Sequence, residues 1–225
     1  EGRRARALEY RARVFGGDER YAKGAADADE VCRILATIGA ASSLATANVL
    51  AGMLHEDGGQ FAEAVVRYRA GARGLEEHGA SPTATRYKLG RSMLAAGDAV
   101  EAVEVLHEVY GAETEAEEPP ASRAQTLMLL SRAFEAAEQY GNAVWAWGNA
   151  AELADEGEAE ALAASALVNR GRLLMGLGEP ADAVESLEPA LEKARRNADD
   201  VGLLTDAIHM LGRARTMAGD ESGFA

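Results

Sequence analysis

The chain has 225 residues, 48% of them hydrophobic but only 5% aromatic, with five prolines and a net charge of −14. Much of the apolar material is therefore alanine, which suits close-packed helices and suits a β-sandwich poorly, since strands favour branched and aromatic side chains. The excess of 37 acidic over 23 basic residues repels a nucleic-acid backbone or an anionic bilayer unless the basic groups gather on one face, which argues against nonspecific nucleic-acid binding by this segment.

The single cysteine, Cys32, excludes an internal disulfide framework and a cysteine-based metal cluster, and fits a reducing cytosol. No uninterrupted apolar run approaches a membrane span, and no charged-then-apolar leader opens the chain, so it reads as soluble, cytoplasmic and not exported. It begins at Glu1 and stops at Ala225 inside an unfinished repeat. The expectation is a part of a longer protein.

The opening segment, Ala5 to Phe15, is basic and helical in pattern, and Gly16, Gly17 and Asp18 break it. A longer helical stretch then reaches about Ile38, with Val31, Ile34, Leu35 and Ile38 on one face and Cys32 flanking it. A small buried thiol is the expected role for Cys32, because a reactive one needs exposure and a basic neighbourhood.

From Ala45 the pattern becomes regular. Gly52, Gly90, Ser131, Gly171 and Gly212 take one position in successive units, at offsets of 38, 41, 40 and 41 residues, and Ala64, Ala102, Ala143 and Ala183 follow twelve residues after the first four. Between the marks a corner recurs at Gly59-Gln60, Gly97-Asp98, Glu138-Gln139, Gly178-Glu179 and Gly219-Asp220. Beyond each alanine comes a large side chain, Tyr68, Leu106, Trp147 or Leu187. The unit from Tyr87 to Val109 shows the plan: two helices folded back at Gly97 and Asp98, each with one apolar stripe. Gly90 and Ala102 are expected where the stripes face. Asp98 and Glu101 have the spacing of a capping box. One hairpin leaves its outer apolar edges wet, so it needs copies on either side.

These marks resemble the tetratricopeptide repeat, with a small residue on helix A, a glycine corner, then an aromatic, an alanine and a bulky residue on helix B. The corner aromatic is present as Phe61 and Tyr140 but is Ala99 and Pro180 in the other complete units, and the units exceed the family's usual length of about 34 residues. The resemblance runs from about Ala45 to Gly219. It implies an all-α solenoid of antiparallel hairpins, right-handed in the family, with a divergent hairpin or cap over residues 1–43 and an array of four full repeats and the start of a fifth over 44–225.

The acidic stretch Glu113 to Pro120 reads as a solvated loop ending before a helix near Ala121. It is read as a connector, with acidic docking as the sharper alternative. Trp145 has Val66, Glu104 and Glu185 as equivalents, which sets it on the outer side. There it is either covered by the acidic loop, the favoured reading, or free for a convex-face contact such as self-association.

No enzyme is read here and no cofactor is called for. The four histidines, His55, His78, His107 and His209, lie in different units or elements, so no zinc site is expected, and nothing resembles a phosphate loop or a nucleophile elbow. The informative series lies one residue after each small mark: Met53, Arg91, Arg132, Arg172 and Arg213. In the resembling family this position faces the concave groove. Four residues earlier come Val49, Tyr87, Met128, Val168 and His209, and three residues later Glu56, Leu94, Glu135, Met175 and Thr216. Family members that clamp a C-terminal carboxylate commonly carry asparagine with lysines at this position, so that role does not carry over. Lys88 and Asn169 are the polar neighbours. Two readings stay open: the arginines pair with nearby acids such as Glu135, or they contact an acidic, extended protein or peptide partner. The expected function is a protein-interaction scaffold, the alternative a peptide- or ligand-sensing domain of a larger transcription factor or signalling ATPase.

Overall fold

Long alanine-rich stretches with few β-branched residues, each ended by glycine or a short polar pair, fold as helices of 14 to 18 residues. The computed structural model describes residues 1–197 and 200–219, and eleven helices with no strand make up its regular structure among those residues. They are α1 (Gly2–Gly17), α2 (Tyr21–Thr37), α3 (Ala41–Asp57), α4 (Phe61–Glu77), α5 (Thr83–Ala96), α6 (Ala99–Glu115), α7 (Pro120–Ala136), α8 (Tyr140–Glu156), α9 (Glu160–Leu177), α10 (Pro180–Arg196) and α11 (Val201–Met217). The fold class is an all-α, tetratricopeptide-like array of helix pairs. Two compact units divide the chain, Glu1–Val109 and Tyr110–Ala225, with the boundary inside α6.

In the first unit each helix packs on the next, α1 on α2, α2 on α3, α3 on α4 and α4 on α5. The glycines fix how. A Cβ at Gly52 would lie 2.7 Å from the Tyr68 ring, at Gly71 2.8 Å from a Val49 methyl, and at Gly74 2.8 Å from the Ala45 methyl. Those pairs run in opposite chain directions, so α3 and α4 are antiparallel. Gly90 meets Leu106 in the same way, its added Cβ 2.6 Å from Leu106 Cγ. The small mark on helix A thus faces the bulky residue sixteen positions on, and Ala102 is fully buried on helix B. The mark makes room for a side chain rather than for a backbone.

In the second unit α7 to α11 pack in sequence, and α9 also touches α7 and α11. Gly171 seats Leu187 as Gly90 seats Leu106, at 2.5 Å from an added Cβ.

The corners close by one hydrogen-bond pattern. The amide of the second corner residue donates five residues back, Gln60 to His55, Asp98 to Met93, Gln139 to Phe134 and Glu179 to Leu174, at 2.8–2.9 Å. The residue before it is left-handed in each case, Gly59, Gly97, Glu138 and Gly178. The Gly219-Asp220 corner is described only to Gly219, and Asp220 lies outside the described residues. Phe61, Ala99, Tyr140 and Pro180 are each the first residue of a helix B. No capping box forms at Asp98: its carbonyl accepts from the Ala102 amide, while the Glu101 carboxylate pairs with Arg69 at 2.6 Å.

The acidic stretch also differs from a plain loop. Glu113 to Glu115 belong to α6, and Glu113 is buried, because the end of the helix lies against Thr126 of α7. Only the residues after Glu115 connect, and α7 begins at Pro120. Cys32 is buried in the first unit's core, and burial pushes its thiol up to about 11, so it stays protonated and unreactive near neutral pH.

Candidate functional site

The series Met53, Arg91, Arg132, Arg172 and Arg213 is exposed at every member. For Met53, Arg91 and Arg172 the preceding glycine sits at a helix contact, so the next residue on the helix turns outward. What the four arginines touch differs sharply between them.

In the first unit, Glu56 lies one turn beyond Gly52 with its side chain only 9% exposed. Arg91 grips it with two hydrogen bonds of 2.8 Å, from Nε and Nη2. The Tyr68 hydroxyl donates to the same carboxylate at 2.8 Å and the Ser92 hydroxyl at 3.1 Å. Burial alone would raise the carboxyl's pKa, but the bonds from Arg91, Tyr68 and Ser92 outweigh it and hold Glu56 below the usual range. Tyr68 is pushed up by its burial and by the Glu56 carboxylate, so its hydroxyl stays a donor.

The second unit repeats the device. Glu135, one turn beyond Ser131, accepts from the Trp147 indole at 2.7 Å and from Arg172 Nη2 at 3.2 Å. Arg172 also leans on Asn169 Oδ1 at 3.5 Å. The tie joins helix A, helix B and the following helix A. It recurs where helix B carries an aromatic donor.

In the alternate hairpins the equivalent places are apolar, Leu94 with Leu106 and Met175 with Leu187. No acid stands there for the next arginine. Arg132 and Arg213 accordingly have no hydrogen bond or ion pair among the described residues. Arg213 borders a cleft of about 770 Å³ between α10 and α11, lined by Leu191, Ile208, Leu211 and Met217 among others.

The remaining candidates are placed as follows. In the first unit Tyr87 and Lys88 are half-buried on α5. In the second, Met128 is half-buried, Val168 is 8% exposed and offers little surface, and Asn169 donates to the Ser165 carbonyl while accepting from Arg172. Trp145 is 57% exposed and not tucked beneath the acidic stretch; its neighbour Trp147 is the buried one. The partners of Arg91 and Arg172 are the signal that spacing along one helix missed. Glutamate appears three residues after the series only in the units whose helix B carries Tyr68 or Trp147.

Part of the basic opening segment is paired within the fold. Arg11 pairs with Asp27 at 2.6 and 2.7 Å, and Arg4 with Glu30 at 2.8 Å. Among the described residues no group of three metal-ligating side chains could hold an ion, and no helix is long and apolar enough to cross a membrane.

Residues 84–111 match the tetratricopeptide repeat family model. No curated protein is significantly similar in sequence. The fold is similar to that of BtubC (BKLC) from P. vanneervenii, at 22% identity over 91% of this chain and 85% of that one, with a TM-score of 0.69. It is similar also to MamA from Desulfovibrio magneticus RS-1, at 16% identity over 86% and 96%, TM-score 0.67. A Rap protein solved in complex with Competence and Sporulation Factor matches at 11% identity over 96% and 66%, TM-score 0.58.

Proposed function

We propose that this chain, a protein of tetratricopeptide-like fold, is a non-catalytic scaffold that binds an extended acidic segment of another protein through exposed arginines of its helix A series. The observation that carries the reading is a cation repeated at one solvent-facing register of successive hairpins, Arg91, Arg132, Arg172 and Arg213, in a chain with only three lysines. Arginine suits the task, because its planar fork holds a carboxylate with two hydrogen bonds. Met128 and His209, one turn away, offer surface to the side chains between the acids. The strongly negative remainder of the molecule opposes loosely matched acidic chains, which favours a fitted one. A Rap protein of related fold, solved with Competence and Sporulation Factor, is in keeping with a binding role.

Binding of fluorescent synthetic peptides, extended and rich in glutamate with valine and leucine between, tests the reading by anisotropy. Saturable binding that weakens as salt rises, and is lost when the four arginines are changed to glutamine with the helical signal retained, is the expected result. Affinity indifferent to those changes, or no binding by the parent chain, overturns it.

A further inference from the structure

The four arginines are not equivalent, and the difference defines what a partner must carry. Arg91 and Arg172 are already matched to carboxylates within the fold, at 2.8 and 3.2 Å. Each spans two hairpins and shares its acid with a buried aromatic donor, Tyr68 or Trp147. A second carboxylate brought to either arginine would compete with a largely buried acid, and success would strand that acid without its cation, which is costly. Arg132 and Arg213 carry no such commitment among the described residues. Their sequence-equivalent acid positions hold Leu94 and Met175.

We propose that Arg132 and Arg213, both in the second unit, are the specificity-determining contacts, and that they select a segment with two carboxylates about six residues apart. This rests on the groove reading above and narrows it. The spacing follows from the stacking. α7 touches α9 and α9 touches α11, and packed helices lie about 8–10 Å apart, which sets Arg132 and Arg213 at roughly 20 Å. An extended chain advances about 3.3 Å per residue. An acid every third or fourth residue would place one opposite Arg172, whose charge Glu135 already answers. The partner's stretch between the two acids is therefore uncharged. The cleft beside Arg213, walled by Leu191, Ile208, Leu211 and Met217, adds a second requirement: a bulky apolar side chain next to the acid that Arg213 holds.

Two peptides of equal composition test this, built of serine, threonine and valine with one leucine after the second glutamate, and with the glutamates six or three residues apart. They are titrated into the 225-residue chain and into two variants, Arg132→Gln with Arg213→Gln, and Arg172→Gln alone, all checked by circular dichroism. The six-spaced peptide should bind more tightly than the three-spaced one. The double variant should lose at least about tenfold in affinity and most of the salt dependence, with unchanged thermal stability. Arg172→Gln should lose clearly less affinity than the double variant and should lose stability as well, because Glu135 loses its cation. Equal affinity for the two spacings, or a loss in Arg172→Gln as large as in the double variant, overturns the assignment while leaving the groove reading standing. Failure of the parent chain to bind either peptide removes both.

Discussion

Glu56 and Glu113 are both largely buried carboxylates, and their surroundings drive them in opposite directions. Glu56 receives bonds from Arg91, Tyr68 and Ser92, so its charged form is favoured in the fold. That stability is present above the unfolded carboxyl's range and is lost as pH falls through the lowered folded value. Glu113 has Thr126 beside it, but its Oε2 is buried without a partner. Burial raises its pKa first of all, and the nearby Glu118 adds to this. The sign is therefore reversed: below the unfolded value the acid is protonated in both states and costs nothing, and the cost grows as pH rises through the folded value. Glu113→Gln removes the charge and keeps the shape. It should raise the midpoint of thermal unfolding at about pH 7, and the gap from the parent should close at about pH 4. A gap of the same size at both pH values would show that the charge is not its source.

At the scale of the helix, the corner shows what the chain requires and where one unit departs from it. Of the four corners from Gly59 to Glu179, three put glycine at the left-handed position and one uses Glu138 at φ 59°, as the α1–α2 corner uses Glu19 at φ 57°. A side chain there costs roughly 1–2 kcal/mol, part of which glycine gives back through its freer unfolded chain. Glu138→Gly should therefore stabilise the protein by up to about 1 kcal/mol, seen as a higher denaturation midpoint at unchanged slope; a lower midpoint would mean that the glutamate side chain contributes something else. The corners were legible in the sequence because glycine and its polar follower act locally, through one amide bond. The same holds for Gly52, Gly90 and Gly171, whose small size and fixed offsets announced a repeated helix contact. Their facing partners were less legible. Gly90 meets Leu106 across an antiparallel pair, a relation set by where the corner folds and not by spacing along either helix. Glu113 likewise read as loop because its acidic neighbours outvote it, while its burial is decided by Thr126, thirteen residues on in another helix.

For the whole chain, composition announced helices and the fixed offsets a repeat, and the arrangement of charge then divides labour among residues that look alike in sequence. Arg91 and Arg172 join successive hairpins inside their own units, whereas Arg132 and Arg213 have no partner among the described residues. A repeat array of this kind couples mainly neighbouring elements, and within each unit most helix contacts are between chain neighbours. Local damage should therefore stay local. Gly90→Leu supplies the test: the added side chain collides with Leu106, whose nearest atom would lie 2.6 Å from a mere Cβ, and overpacking of this kind costs about 1–3 kcal/mol. Hydrogen exchange in α5 should quicken by about ten- to a hundredfold, since each 1.4 kcal/mol is a factor of ten. α4, which packs on α5, should follow to a lesser degree. Helices α9 to α11 of the second unit should keep their protection. A uniform loss from α1 to α11 would mean that the chain opens as one cooperative body, and the picture of hairpins coupled mainly to their neighbours would have to be abandoned.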